Sequence, residues 1–168
     1  ASDEGSGVKL IPISEHPDAA KILYDLLAER TSEQSISHKR MPTWGEHLEF
    51  VKWTQPEPPD VWQDPVLALD RYEAWYLAEA IEPDVVHQTH DAFIVGSVYL
   101  TQQREIGVSI FRHLQDRGYG TEAVKLLMEK HSKHPYYANI NPANEPSRKM
   151  FEKLGFKLVQ HTLALEPE

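Results

Sequence analysis

Apolar residues recur with two different spacings along the chain, and together these spacings predict a mixed α/β fold. Several short segments alternate apolar with other positions, which is the two-residue period of strands that bury one face. The predicted strands are 8–13, 71–80, 92–101, 105–111, 136–140 and 156–165. Other segments repeat apolar residues three and four positions apart, as helices with one buried face do. The predicted helices are 18–30, 43–53, 120–130 and 144–154.

Residues that favour helix ends place the boundaries of two of these helices. Thr43 and Glu46 have the Thr-x-x-Glu spacing of a capping box. Asn144 can cap the last helix and Pro146 suits its first turn. Gly155 is the predicted C′ residue, after which the chain enters its final strand. Polar or proline-rich loops are predicted at 31–42, 54–65 and 82–91.

A turn with two glycines, Gln115–Gly120, joins the strand at 105–111 to the helix that follows it. The start of that helix leaves backbone N–H groups without partners at the positive end of the helix dipole. Glycine at 118 and 120 lets an anion approach this backbone without a Cβ in the way. The Walker spacing Gly-x-x-x-x-Gly-Lys-Ser/Thr is absent here. The turn therefore predicts a site for a phosphate or a pyrophosphate.

Two blocks of sequence resemble the GNAT superfamily of acyl-CoA-dependent N-acyltransferases. The first is Gln-x-x-Gly-x-Gly at 115–120, after a strand that enters as Glu-Ile-Gly-x-x-Ile at 105–110. The second, at 138–157, is similar to the family's Asn-x-x-Ser/Ala…Tyr-Glu-Lys-Leu-Gly-Phe block and follows in the family's order. The branch it looks most like is the one that acetylates ribosomal proteins, other protein N-termini and small amines.

The resemblance implies an α/β (α+β) fold with a mixed, mostly antiparallel central sheet and helices on both faces. It also implies that the strands at 105–111 and 136–140 run parallel and splay apart, with the acyl-CoA in the opening. Acetyl-CoA would be the co-substrate, and the acetyl group would pass directly to a primary amine in a ternary complex. The amine could belong to a small molecule or to a protein or peptide.

The site residues that the resemblance implies fall into three groups. Backbone groups of Val108, Ser109 and Ile110 would pair with the pantetheine arm of CoA. Asn141 and Asn144 would contact that arm too, although Asn144 could equally serve only as a helix cap. The pyrophosphate would be held by Gln115, Asp116, Arg117, Gly118, Tyr119, Gly120 and Thr121. Arg117 could equally be a simple exposed turn residue.

Glu105 is the preferred general base, because it opens the strand that would orient the thioester. A solvated charge at a strand end is the alternative for Glu105, and Glu79, His87 and His90 are lesser candidates for the base. The chain departs from the family at Phe151, where a tyrosine often protonates the leaving thiolate. The proton could then come from another tyrosine or from water; the other tyrosines considered are Tyr119, Tyr136 and Tyr137.

Composition limits the partners. The chain has 168 residues, a net charge of −9 and no cysteine, which predicts one domain at 8–168 after a flexible terminus at 1–7. The negative charge argues against nucleic acid or anionic membrane as a partner and mildly favours cationic amines. With no apolar run of about 18 residues and no signal pattern, a cytoplasmic protein is expected. Its expected oligomeric state is a monomer or a homodimer.

The histidine pairs and the tryptophans are further candidates for functional residues. The histidine pairs His87/His90 and His131/His134 lack a third ligand at a sensible spacing, so no metal is expected. The four tryptophans could line an acceptor pocket or pack in the core; they are Trp44, Trp53, Trp62 and Trp75. The alternatives to an acetyltransferase are a non-catalytic acyl-CoA-binding module on the same fold and a nucleotide-binding interaction domain.

Overall fold

A computed structural model of the protein describes residues 7–30, 41, 43–53, 72–81 and 93–165. Its strands are β1 (Val8–Pro12), β2 (Tyr72–Ala80), β3 (Ile94–Thr101) and β4 (Ile106–Ile110). Its helices are α1 (Ala19–Ala28), α2 (Trp44–Trp53), α3 (Tyr119–Lys130) and α4 (Glu145–Lys153), with 3-10 turns at Ile13–Glu15 and Arg112–Leu114. The loops predicted at 54–65 and 82–91 and the terminus at 1–6 lie outside the described residues, as does most of the loop predicted at 31–42.

The four strands form one antiparallel sheet in the order β1-β2-β3-β4. The register sets Val8 opposite Ala80, Ala78 opposite Gly96 and Tyr99 opposite Gly107. The predicted antiparallel meander is confirmed. Each strand follows its neighbour in sequence, so β4 forms an edge of this sheet.

Apolar side chains cover both faces of the sheet. One face packs against α3 and α4, with Val98, Leu127 and Phe151 in the core. The other face packs against α1 and α2, where Leu23 and Leu77 are buried together. The alternating strands and the amphipathic helices thus bury their apolar sides against one another, which explains why both spacings are present in the sequence.

The predicted helix ends form as expected. The Thr43 hydroxyl accepts from the Glu46 N–H at 3.2 Å, and the Glu46 carboxylate accepts from the Thr43 N–H at 3.4 Å, completing a capping box. Gly155 has φ +97° and follows α4. Its N–H donates to the Glu152 carbonyl at 3.0 Å and the Phe156 N–H donates to the Phe151 carbonyl at 3.0 Å, the two bonds of a Schellman motif.

Two predicted strands differ in the structure. The segment 156–165 forms no strand, and Leu158, Leu163 and Leu165 are 76%, 93% and 101% exposed. Its alternating pattern records a preference for a pleated surface, but a strand also needs a hydrogen-bonded partner, which local sequence does not specify. The segment 136–140 is reduced to one parallel bridge, between Glu105 and Tyr137.

Candidate active site

A cleft of about 590 Å³ lies between β4, the end of α1, the turn before α3 and the start of α4. Glu105 lines it together with all but one of the residues predicted to bind the cofactor. These are Val108, Ser109, Ile110, Gln115, Asp116, Gly118, Tyr119, Gly120, Thr121, Asn141 and Asn144. Arg117 is exposed and is not part of the cleft wall, which favours the simple turn arginine. The structure therefore brings two distant sequence blocks into one cavity.

The outer edge of β4 presents backbone groups to this cleft. The Ile106 N–H points away from β3 and donates to the Tyr137 carbonyl at 2.7 Å, whereas the Phe111 N–H points to Val95 on β3. Because backbone direction alternates along a strand, Val108 and Ile110 also face outward. Ser109 does not, since its backbone faces β3, where it lies opposite Ser97. Of the three residues predicted to pair with the pantetheine arm, only Val108 and Ile110 therefore direct their backbone groups toward the cleft.

The turn before α3 exposes a row of backbone donors. Asp116 and Gly118 both have positive φ, +64° and +84°, and Gly118 is the N-cap of the helix. The Glu122 N–H makes the first intrahelical bond, to the Gly118 carbonyl at 3.1 Å, so the three preceding N–H groups have no helical partner. The Gln115 side chain donates to the Ile110 carbonyl at 3.0 Å and ties the turn to β4. Such a concave row of N–H groups suits an anion.

The two glycines of the turn have different roles. A Cβ on Gly118 would meet nothing within 4 Å, so glycine is needed there for its left-handed backbone and leaves the space above it open. A Cβ on Gly120 would lie 3.3 Å from the Met150 sulfur and 3.6 Å from Ile110 Cγ1. Gly120 therefore lets α3 pack closely against β4 and α4. A bulky residue at 120 would therefore disturb this packing as well as the approach of an anion.

Glu105 is held at the start of β4 from both backbone and side chain. Its N–H donates to the Thr101 hydroxyl at 3.0 Å, and its carbonyl accepts from the Thr101 N–H at 2.9 Å. The Asn139 side-chain amide donates to the Glu105 carboxylate. The carboxylate thus lies in the cleft at the point where β4 meets the bridge to Tyr137. This geometry allows the carboxylate to accept a proton from a group bound in the cleft.

Among the cleft residues that the sequence did not indicate, three have polar groups close to β4. Arg30 donates from Nη2 to the Ser109 hydroxyl at 3.2 Å, Asn139 contacts Glu105, and Tyr99 lies across from Gly107 on β3. Asn139 carried a weak signal, because it is a polar residue inside a short apolar strand pattern. Arg30 and Tyr99 carried none, since each enters the site through tertiary packing.

The two predicted asparagine contacts mainly shape the chain before α4. The Asn141 side chain accepts from the Ala143 N–H at 2.9 Å, and its carbonyl accepts from the Asn144 N–H at 2.8 Å. The Asn144 side chain accepts from the Ser147 N–H at 3.3 Å and caps α4. Both still line the cleft, so a contact with the cofactor remains a prediction.

Phe151 is 3% exposed and packs edge-on to Phe156 at 5.0 Å between ring centroids. Of the tyrosines considered as substitutes, Tyr136 donates its hydroxyl to the His131 carbonyl at 2.5 Å, away from the cleft wall. Tyr137 is 45% exposed and lies outside the wall as well. Tyr119 lines the cleft, but it is the first residue of α3, which lies beside the Ile110 end of β4 and not beside Glu105.

The other candidates lie away from the cleft. Glu79 pairs with Lys9 at the opposite side of the sheet, and His87 and His90 lie outside the described residues. The His131 ring bonds to the Tyr76 hydroxyl at 2.8 Å. Trp44 is exposed, at 44%, beside Tyr24. Among the residues that the structure describes, no three His, Asp or Glu side chains are grouped to hold a metal ion.

The cleft, with its backbone donors before α3 and along β4, suits a cofactor that carries phosphate groups. The family model of the acetyltransferase (GNAT) domain matches residues 8–157, so the chain belongs to the GNAT acetyltransferase family. The residues present fit acetyl-CoA, with open backbone donors at the turn and along β4. No curated protein sequence matches the chain. In the described part of the chain, no helix combines the length and the apolar character that crossing a membrane requires.

Solved structures share the fold at low identity. An N-acetyltransferase from Staphylococcus aureus Mu50 has a TM-score of 0.57 at 13% identity, covering 92% of this chain and 84% of that one. A Salmonella typhimurium protein solved with its cofactor acetyl-CoA has a TM-score of 0.55 at 15% identity, covering 91% and 80%. A transcriptional regulator from Bacillus halodurans C-125 has a TM-score of 0.60 at 15% identity, covering 95% and 99%. These similarities show the fold alone.

Proposed function

We propose that the protein is an N-acetyltransferase that moves the acetyl group of acetyl-CoA directly to a primary amine in a ternary complex. Membership of the family gives acetyl transfer from acetyl-CoA as the general activity. The amine acceptor is our proposal, as is a place near the branch that acetylates ribosomal proteins and small amines. One observation carries it: a single cleft joins the backbone donors before α3 to the carboxylate of Glu105.

The spacing along β4 supports the proposed division of the cleft. Glu105 and Ile110 are five residues apart on one extended strand, or about 17 Å. The N–H groups of Tyr119, Gly120 and Thr121 would bind the pyrophosphate beyond the Ile110 end. The outward backbone groups of Val108 and Ile110 would pair with the pantetheine arm. The thioester would then lie near the Glu105 end of the strand, close to the bridge that joins β4 to Tyr137.

Glu105 would accept the proton that the amine loses. A primary amine has a pKa near ~10, so roughly one molecule in a thousand is neutral at pH 7. A carboxylate fixed beside the amine can take this proton directly or through a water. Asn139 would orient Glu105, because its amide donates to the carboxylate. The negative charge of the chain, −9, would favour approach of a cationic acceptor.

Glu105→Gln tests this assignment, because it keeps the side chain's shape and removes the base. We expect kcat to fall by about 10²–10⁴-fold with acetyl-CoA affinity unchanged. Raising the pH should restore part of the rate, since more amine is then neutral. Glu79→Gln is the matched control, because Glu79 lies outside the cleft wall. A Glu105→Gln enzyme with near-normal kcat between about pH 6 and pH 9 would contradict the role of Glu105 as the base.

The buried Phe151 favours one second candidate, an acyl-CoA-binding module without turnover. Its ring supplies no proton where the family often has a tyrosine. Such a module would bind acetyl-CoA and release no free thiol with any amine. A nucleotide-binding domain would instead be stabilised against heat by ATP at least as strongly as by CoA.

A further inference from the structure

We infer that Tyr99 is the proton donor to the departing CoA thiolate. This inference rests on the proposed function and names a residue for a step that Phe151 cannot perform. Tyr99 lies on β3, outside both of the sequence blocks that resemble the family. Tyr99 and Glu105 both line the cleft, and the Glu105 carboxylate is close enough to act electrostatically on the Tyr99 hydroxyl.

The sheet register fixes where the Tyr99 hydroxyl lies. Tyr99 is directly opposite Gly107, and Glu105 and Ser109 flank Gly107 on the same face of β4. An added Cβ on Gly107 would come within 2.0 Å of Tyr99 Cζ and 2.3 Å of its hydroxyl oxygen. The phenol therefore lies flat across the glycine, with its oxygen over β4. Glycine at 107 creates the space that brings a β3 hydroxyl to the strand that would orient the thioester.

The ring is held there by its neighbours. Its centroid is 5.0 Å from that of Tyr72 and 4.9 Å from that of Trp75, in tilted or edge-on contacts. Such packing restricts the ring to one position. A proton donor needs this kind of fixed placement, because transfer efficiency depends on the distance between heavy atoms.

The charges around the hydroxyl suit a donor. Burial is the main cause that raises the pKa of Tyr99, and the Glu105 carboxylate raises it further, while the Arg30 guanidinium opposes both. The phenol is thus protonated at neutral pH and has a proton to give. Arg30 lies on the same side, bonded to Ser109, and would stabilise the phenolate after transfer. Among the described residues, Tyr72 also packs a titratable side chain against the ring.

Atoms and protons balance in the proposed acetyl transfer with the two substrates, Glu105 and Tyr99. The nitrogen of the neutral amine, whose ammonium proton has already passed through Glu105 to solvent, bonds to the acetyl carbonyl carbon, and the carbon–sulfur bond breaks. Glu105 accepts one proton from the nitrogen, and the sulfur takes the phenolic proton of Tyr99. Glu105 then returns a proton to the phenolate through water, so both residues regain their starting states. The products are the acetylated amine and CoA with a free thiol.

Tyr99→Phe is the first test, because it keeps the ring on Gly107 and removes the hydroxyl. With an amine that the wild-type enzyme acetylates, we expect kcat to fall by about 10²–10⁴-fold while acetyl-CoA affinity is unchanged. Tyr137→Phe is the matched control, since that exposed hydroxyl lies outside the cleft wall. Unchanged kcat in Tyr99→Phe would overturn the inference.

A second measurement separates proton donation from a structural role. A fluorinated tyrosine at position 99 has nearly the same shape and a more acidic phenol. A donor must be protonated, so the alkaline limb of kcat should move to lower pH in this enzyme. A limb that stays in place would overturn the inference even if Tyr99→Phe is slow. Failure of the proposed function would look different, because the wild-type enzyme itself would then release no thiol with any amine.

Discussion

Substituting Gly107 by alanine should destabilise the protein. In most strands this substitution would be stabilising, because glycine weakens a strand. Glycine in the interior of a strand normally costs roughly 0.5–1 kcal/mol relative to alanine. At 107, however, the new Cβ would lie 2.0 Å from Tyr99 Cζ and 2.3 Å from Cε1. Carbon atoms in contact are normally about 3.5–4.0 Å apart. The Tyr99 ring would have to move by about 1.5–2 Å to restore a normal distance between its Cζ atom and the new Cβ.

The ring cannot make this movement freely. Tyr72 and Trp75 pack against Tyr99 at centroid distances of 5.0 and 4.9 Å, so a shift of one ring displaces the others. Overpacking of this kind typically costs about 1–3 kcal/mol. For a chain of this length, each kcal/mol lowers the melting temperature by about 2–4 °C.

A double-mutant cycle measures the clash itself. The free energy of unfolding would be obtained from urea titrations of wild type, Gly107→Ala, Tyr99→Ala and the double variant. In the Tyr99→Ala background the clash is absent, so Gly107→Ala should cost nothing or stabilise slightly. Gly45→Ala is the control, because its Cβ would meet nothing within 4 Å in α2. Equal effects of Gly107→Ala in both backgrounds would refute the contact between Tyr99 and Gly107.

Three further predictions concern stability. Gly118→Ala adds no steric contact but forces alanine to φ +84°, so the free energy of unfolding should fall by about 1–2 kcal/mol; no change would contradict the left-handed cap. Asn144→Ala should cost about 0.5–2 kcal/mol by removing the cap of α4, whereas Asn144→Asp should retain it; a loss of acetyl-CoA affinity with full stability would argue against the cap. Burial lowers the pKa values of His47 and His131 below 6.5, so at acidic pH the unfolded chain binds more protons than the folded chain. The stability that these two histidines contribute is complete above about pH 6.5 and should fall as the pH drops below that value. A urea midpoint unchanged between about pH 7.5 and pH 5.5 would contradict this pH dependence.

Local chemistry explains why some elements could be predicted from the sequence. The capping box at Thr43 and Glu46 and the C′ glycine at 155 depend on neighbours within a few residues, and both form as expected. The turn at Asp116–Gly118 has the same character, because a helix start and left-handed residues define it locally. Element boundaries moved by one or two residues at most of the strands and helices, as expected where ends depend on single hydrogen bonds.

Long-range packing explains what the sequence did not reveal. Tyr99 reaches the cleft because of the β3–β4 register and a glycine opposite it, and Arg30 reaches it from the end of α1. Neither relation leaves a spacing that a sequence pattern can show. The segment 156–165 has a strand's alternation but no sheet partner, so local preference alone gave the wrong prediction.

The most direct test of acetyl transfer to a primary amine is amine-dependent release of the CoA thiol by the wild-type enzyme. Purified protein would be incubated with acetyl-CoA and a panel of primary amines and amino-terminal peptides. Free thiol would be followed over time, and the products identified by mass spectrometry. We expect thiol release that requires both the amine and the protein and that matches the amount of acetylated amine formed. Saturable binding of acetyl-CoA with no amine-dependent thiol release, and no acetylated product from any amine of the panel, would contradict it.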